Sequence, residues 1–262
     1  MKILKQHLKA LAWLALYFVL QMMSLIVILV GKILLDKDFL VKLNYDLLAG
    51  ENDKLINEIS TLLIPALILE SILIIILFIG YMHLTKNKNI IQKIKSNIAI
   101  KYSLIAIIAN LLISIIITFI PSSIYTSKLT ESTDLALNGS IGLIILGTGF
   151  LVPILEEIVF RYGIGYNLSK INEKYALIIQ AIIFGLMHGN LIQGIYATFL
   201  GLMFGYVDKK ENNLLPSIIM HITINLSSVC ATYLSINEFL FMILVIAILG
   251  ISYKLTSTKK DS

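Results

Sequence analysis

Residues 141–168 read IGLIILGTGFLVPILEEIVFRYGIGYNL. The stretch is apolar or small up to Leu155, apart from Thr148, and then carries Glu156, Glu157 and Arg161. As a helix rising ~1.5 Å per residue, it is longer than the ~30 Å hydrocarbon core of a bilayer. It therefore reads as a membrane span with two carboxylates and a guanidinium inside it. A charged side chain at bilayer depth costs about 2.5–3.5 kcal/mol even on lenient insertion scales. Spanning a membrane requires none of these groups, so they point to a site.

The rest of the chain agrees with the membrane reading. Of its 262 residues 58% are hydrophobic and only 14% charged, against about 25% charged in soluble domains. Apolar runs of spanning length recur throughout, which predicts an all-α polytopic membrane protein of eight transmembrane helices around a polar intramembrane cavity. The runs fall near residues 8–35, 55–84, 98–120, 141–168, 175–189, 191–207, 215–234 and 238–255. The fifth and sixth are short and separated only by His188, Gly189 and Asn190, the pattern of a tight helical hairpin or a partly re-entrant pair. The first run is too long for the apolar core of a cleaved signal peptide, so it is read as a retained span. The one cysteine, Cys230, lies in an apolar stretch and implies no disulfide framework.

Charge placement orients the spans. Lys2, Lys5, Lys9, Lys86, Lys88, Lys93, Lys95, Lys101, Arg161, Lys170, Lys174, Lys209, Lys210, Lys254, Lys259 and Lys260 fall on one side of an eight-span arrangement. Lys37, Lys42, Lys54 and Lys128 fall on the other, among Asp36, Asp38, Asp46, Glu51, Asp53, Glu58, Glu131 and Asp134, while Lys32 lies near the outer end of the first span. The positive-inside rule then places both termini in the cytoplasm. The net charge of +5 is topological, and no nucleic-acid partner is expected because the basic residues form no single face. The partners expected are the lipid bilayer and a peptide or membrane-protein substrate.

Three clusters carry candidate chemistry, each built on a four-residue spacing that puts two side chains on one helix face. Glu157 and Arg161 have the acid-before-base order of a helix ion pair, which leaves Glu156 to project toward the cavity. Adjacent helical residues point ~100° apart, so the two glutamates cannot face one cavity equally. Pro153, just before them, can open the helix locally. The second cluster is Phe184 with His188 at the end of the fifth span, and the third is His221 with Asn225 in the seventh. Each alone also fits a structural role: an interfacial salt-bridge trio, a capping histidine, or interhelical hydrogen bonding. Together they hold the parts for water-mediated amide hydrolysis: a carboxylate base, imidazoles and an amide donor to an oxyanion. Counting residues along the spans puts Glu156 and His221 at similar depth and His188 about 10 Å nearer the outer face.

Glu-Glu-x-x-x-Arg, Phe-x-x-x-His and His-x-x-x-Asn, in this order on successive spans, resemble the CPBP family of intramembrane proteases, also called the CAAX protease and bacteriocin-processing or Abi family. The likeness divides the single membrane domain 1–262 into three spans without signature (1–138), a catalytic core (139–234), and a last span with a basic tail (235–262). It implies that Glu156 activates water, His188 acts with it, His221 and Asn225 stabilise the oxyanion, and Glu157, Arg161 and Phe184 support them. Glu156, His188 and His221 are also the set that would hold a zinc ion if a metal is used; a metal-free glutamate mechanism fits the same residues, and no cofactor is required by the sequence.

The expectation is thus an intramembrane endopeptidase, metallo- or glutamate-dependent, multi-pass in a bacterial plasma membrane. Family precedent adds bacteriocin self-immunity or maturation of a signalling peptide as roles. Two other readings predict different behaviour. A non-catalytic immunity or scaffold protein would use the polar cavity only to bind a membrane-active peptide. A small transporter would relay protons through Glu156 and the histidines, although no inverted repeat is visible. Oligomeric state is left open by the sequence.

Overall fold

In a computed structural model, residues 1–85, 90–119 and 139–258 are described. Lys86, Lys88, Lys128, Glu131, Asp134, Lys259 and Lys260 of the charge argument lie outside them. The described residues form helices and no strand. In chain order these are α1 (Lys2–Leu35), α2 (Lys37–Ala49), α3 (Asn52–Ser60), α4 (Leu63–Thr85), α5 (Ser96–Thr118), α6 (Ile141–Ser169), α7 (Glu173–Leu186), α8 (Leu191–Glu211), α9 (Leu214–Tyr233) and α10 (Glu238–Thr258).

Seven of these helices are long and apolar enough to cross a membrane: α1, α4 with the end of α3, α5, α6, α8, α9 and α10. The all-α, multi-pass architecture is therefore as expected, with one refinement. The fifth apolar run becomes α7, only 14 residues long, or ~21 Å against a ~30 Å core. It is one arm of a hairpin with α8. Lys209 near the end of α8 is ion-paired to Glu173 at the start of α7, so the two arms share a base. The hairpin thus returns the chain to the end it left.

The α7–α8 arms touch backbone to backbone, because Gly185 and Gly194 face each other. A Cβ on Gly194 would come within 3.1 Å of the Gly185 carbonyl, and one on Gly185 would fall on Thr198 Oγ1 and the Gly194 carbonyl. Gly201 and Gly205 continue that seam against Ala181 and Gln180, the small-residue packing expected of Gly-x-x-x-Gly. At the tip Gly189 takes φ +75°, a left-handed turn suited to glycine. Asn190 then caps α8, its Oδ1 accepting from Gln193 N at 2.8 Å while its Nδ2 donates to Gln193 Oε1 at 2.9 Å. Gln193, polar within an apolar run, is thereby spent on the turn.

The central pair is α6 and α9. Helices α1 and α4 pack on one side of α6, α5 and α10 on the far side of α9, and the hairpin against the inner half of both. Trp13 of α1 sits on Gly163 of α6, 2.6 Å from where a Cβ would stand. Polar ties join the far side: Ser103 to Thr223 at 2.9 Å, and Asn110 between Tyr196 and Met242. The stretch between the first two spans, read as a loop, folds into α2 and α3. Asp36 caps α2 by accepting from Phe39 N at 3.2 Å, and Gly50 ends it at φ 72°. Both helices expose apolar residues (Val41, Leu48, Ile56) and carry acidic ones (Asp38, Asp53, Glu58).

Candidate active site

Helix α6 is not wound as one α-helix. Residues Val152–Glu156 are α-helical, and the stretches on either side, Ile145–Leu151 and Glu157–Tyr166, follow the wider i→i+5 pattern. Pro153 has no N–H for the carbonyl one α-turn back, so a regular ladder cannot run through it. Wide turns of this kind recur at functional sites.

The side-chain geometry changes the expected division of labour between the glutamates. Both reach the same histidine. His221 of α9 places Nε2 3.4 Å from Glu156 Oε2 and Nδ1 3.0 Å from Glu157 Oε1. The two carboxylates approach the ring through its two nitrogens, where regular α-helical geometry would aim only one of them at the cavity.

Glu157 is held as its spacing with Arg161 predicts. Arg161 Nε donates to Oε2 at 3.0 Å and Nη2 to Oε1 at 3.1 Å, with both side chains fully buried. A bidentate guanidinium–carboxylate fork is a strong and directional charge-assisted pair. Arg161 Nη1 donates to Gln180 Oε1, and Gln180 Nε2 is anchored on the Leu177 and Gly201 carbonyls, each at 3.0 Å. The guanidinium also lies over two rings, Phe184 at 4.8 Å and Phe204 at 5.6 Å. Phe204 in turn stacks on His221, with centroids 5.0 Å apart at 30°. The result is a line of contacts from the hairpin to the working carboxylate: Gln180, Arg161, Glu157, His221, Glu156. Every member but the last is at least nine-tenths buried, and the Glu156 side chain keeps 15% exposure.

Asn225 sits one turn beyond His221 on α9, and its Nδ2 donates to the Thr148 carbonyl in the upper wide stretch of α6 at 2.9 Å. A carbonyl freed from regular α-helical bonding thus finds a partner across the interface. One amide N–H of Asn225 is committed there and the other is free to donate.

His188 stands apart. Its Nδ1 bonds the Phe184 carbonyl of its own helix at 2.9 Å, and its ring meets the Phe184 ring edge-on at 4.9 Å. Phe184 also meets His221 edge-on, at 5.7 Å. So Phe184 is the spacer between the two imidazoles, and His188 lies one helical turn outward of it, as the depth count anticipated. Among the described residues no three His, Cys, Asp or Glu side chains converge closely enough to hold a metal ion. The Glu156/His188/His221 ligand set is therefore not assembled in this geometry, and no step below passes through a metal.

Gln180 and Phe204 escaped the sequence reading. Gln180 is an isolated amide in the apolar run of α7, and Phe204 is one aromatic among 11 phenylalanines. The signal available was the Gly201/Gly205 seam, which forces α8 against the face of α7 that carries Gln180. A cavity of about 470 Å³ opens at the hairpin base, lined by Arg161, Gln180, Asp208, Tyr166 and Asn213 among others. It reaches the Arg161 end of the line, behind Glu157 as seen from His221.

Comparison with known proteins falls on the same segment of the chain. Residues 138–227, the segment that carries all three clusters, match the family described as type II CAAX prenyl endopeptidase Rce1-like. Over 87 residues the chain is 31% identical to the Bacillus subtilis (strain 168) protein named "Putative membrane peptidase YdiL". That match takes in 33% of this chain and spans 36% of the relative's length. No solved structure matches. The similarity over residues 138–227 bears out the resemblance to the CPBP intramembrane proteases carried by the Glu156–Arg161, Phe184–His188 and His221–Asn225 motifs.

Proposed function

We propose that the protein is an intramembrane endopeptidase in which Glu156 activates a water for attack on a peptide bond of a membrane-associated peptide or protein. The observation that carries this is the pairing of Glu156 with His221, whose second nitrogen is fixed by Glu157 and, through it, by Arg161.

Glu156 is the one carboxylate of the line with exposure left to meet water and substrate. It takes a proton from the water as the oxygen attacks the scissile carbonyl carbon. Charge then develops on the carbonyl oxygen, beside His221 and the spare N–H of Asn225. On collapse the C–N bond breaks, and Glu156 returns the proton to the departing amine. Glu157 works at a distance: by committing Nδ1 of His221 it fixes the ring, leaving Nε2 for the reacting side. Arg161 balances the Glu157 charge, and Gln180 holds Arg161. Phe184 orients both imidazoles by its edge contacts, which leaves His188 to act on the outer side of the substrate.

The similarity to Rce1-like endopeptidases and to a membrane peptidase supports the proteolytic reading. The basic residues along one side of the bundle support a plasma-membrane orientation with both termini in the cytoplasm. The test is peptide cleavage by purified protein: Glu156→Gln abolishes it, and wild-type activity in that variant would refute the assignment.

A further inference from the structure

Phe204 belongs to none of the three motifs and lies on α8, which carries no motif residue. Its ring is fully buried and stacks on the His221 imidazole, with centroids 5.0 Å apart at 30°. Phe184 meets the same imidazole edge-on, at 5.7 Å and 87°. The Arg161 guanidinium carbon lies 4.8 Å from the Phe184 centroid and 5.6 Å from that of Phe204, both within cation–π reach. Two rings, one from each arm of the hairpin, therefore hold both partners of Glu157. Gly201, about one turn before Phe204, permits this approach: a Cβ there would stand 3.1 Å from Phe184 Cδ1. Phe204 is also part of a buried cluster with Tyr102 and Ala106 of α5 and Met220 and Ile224 of α9, which anchors it to helices outside the hairpin.

The polar contacts of His221 leave one freedom that a neighbouring ring removes. Glu157 meets Nδ1 at 3.0 Å and Glu156 lies 3.4 Å from Nε2, so the imidazole is held at two points and can still tilt about the line that joins them. The torsion about the bond from Cβ to the ring is broad and does not choose one angle. A stacked neighbour opposes the tilt, because turning the imidazole face either drives it into the other ring or gives up contact with it. We propose that Phe204 is a positioning residue for His221, its ring face fixing the tilt of the imidazole and with it the direction of Nε2 toward Glu156 and the scissile carbonyl. This rests on the reading of Glu156 and His221 given above and gives α8 a part in the chemistry, in addition to its packing on α7.

The test compares Phe204→Leu, Phe204→Tyr and Leu200→Ala with wild type in full-length purified protein, on a reporter peptide that wild type cleaves. Phe204→Leu keeps an apolar side chain and removes the ring face. The expected result is kcat lowered about tenfold or more with KM within about twofold. Phe204→Tyr keeps the ring and is expected to restore kcat to within a few-fold of wild type. Leu200 belongs to the same buried cluster, about one turn earlier on α8, and serves as the packing control. Leu200→Ala is expected to lower the thermal midpoint at least as far as Phe204→Leu does while keeping kcat within about twofold. Wild-type kcat in Phe204→Leu overturns the proposal, as does an equal kcat loss in Phe204→Leu and Phe204→Tyr, or in Phe204→Leu and Leu200→Ala. Should Phe204→Leu fail to fold, Phe204→Met, whose flexible side chain fills irregular gaps, takes its place with the same expectations. Glu156→Gln run alongside separates the two readings: activity there refutes the proteolytic assignment itself, whereas a dead Glu156→Gln beside a fully active Phe204→Leu removes only the role of Phe204.

Discussion

Arg161 holds Glu157 by a two-point fork, Nε to Oε2 at 3.0 Å and Nη2 to Oε1 at 3.1 Å, with neither side chain reaching the surface. Removing one partner of such a pair strands the other as a lone buried charge. Arg161→Ala is expected to destabilise the protein by about 3–5 kcal/mol, read as a lower thermal midpoint in detergent. Arg161→Lys keeps the charge and loses the fork. It should stay folded while cleavage drops, because Glu157 and then His221 lose their orientation. Full activity in Arg161→Lys would show that the fork does not reach the chemistry.

Asn225 offers a cleaner separation of tie from donor. Its bond to the Thr148 carbonyl is one neutral hydrogen bond, whose loss costs ~1 kcal/mol. As an oxyanion donor its loss lowers kcat by about 10²–10³-fold. Asn225→Ala is expected to combine a small fall in thermal midpoint with a kcat loss of that size. A small stability change with kcat retained would assign Asn225 to the α6–α9 contact alone.

The hydrogen bond and the ring contact of the His188 side chain are both to Phe184 of α7. His188→Ala is therefore expected to leave the thermal midpoint within about 0.5 kcal/mol-equivalent of wild type while reducing cleavage. Gly185→Ala should do the reverse first, destabilising by about 1–3 kcal/mol, because the added methyl drives α7 off α8. If His188→Ala cleaves like wild type, the outward position of this ring marks it as a bystander.

Because no three candidate ligands converge among the described residues, cleavage is expected to survive prolonged chelation. Elemental analysis of active protein should find transition metal well below one ion per chain. Loss of activity on chelation with recovery on zinc addition would require His188 to move past Phe184 toward Glu156.

Sequence reading and structure agree where the signal is long or repeated. Spans are legible because each is a long apolar run, and Glu156, Glu157, Arg161, His221 and Asn225 because charge in such a run is costly. The Glu157–Arg161 pair follows from spacing alone. The meeting of both glutamates on His221 does not, because it depends on where α9 sets that ring between them. Gln180 was passed over for a related reason: a single polar residue in an apolar run has no spacing to reveal its partner on another helix. The shortness of α7 was legible in the length of its apolar run and in the three residues His188, Gly189 and Asn190 that part it from the next, while the seam of Gly185 on Gly194 that closes the hairpin was not.

The wide turns of α6 have one more consequence. The fork of Arg161 on Glu157 depends on the register of the helix as much as on composition. Deleting Val159 would keep Glu156, Glu157, Arg161, His221 and Asn225 while shortening the wide stretch by one residue. Arg161 would then move around the helix away from Glu157 and Gln180. Such a deletion tests the register of the helix without touching its chemistry, so in this fold the extra residue per turn belongs to the site as much as the side chains it aims.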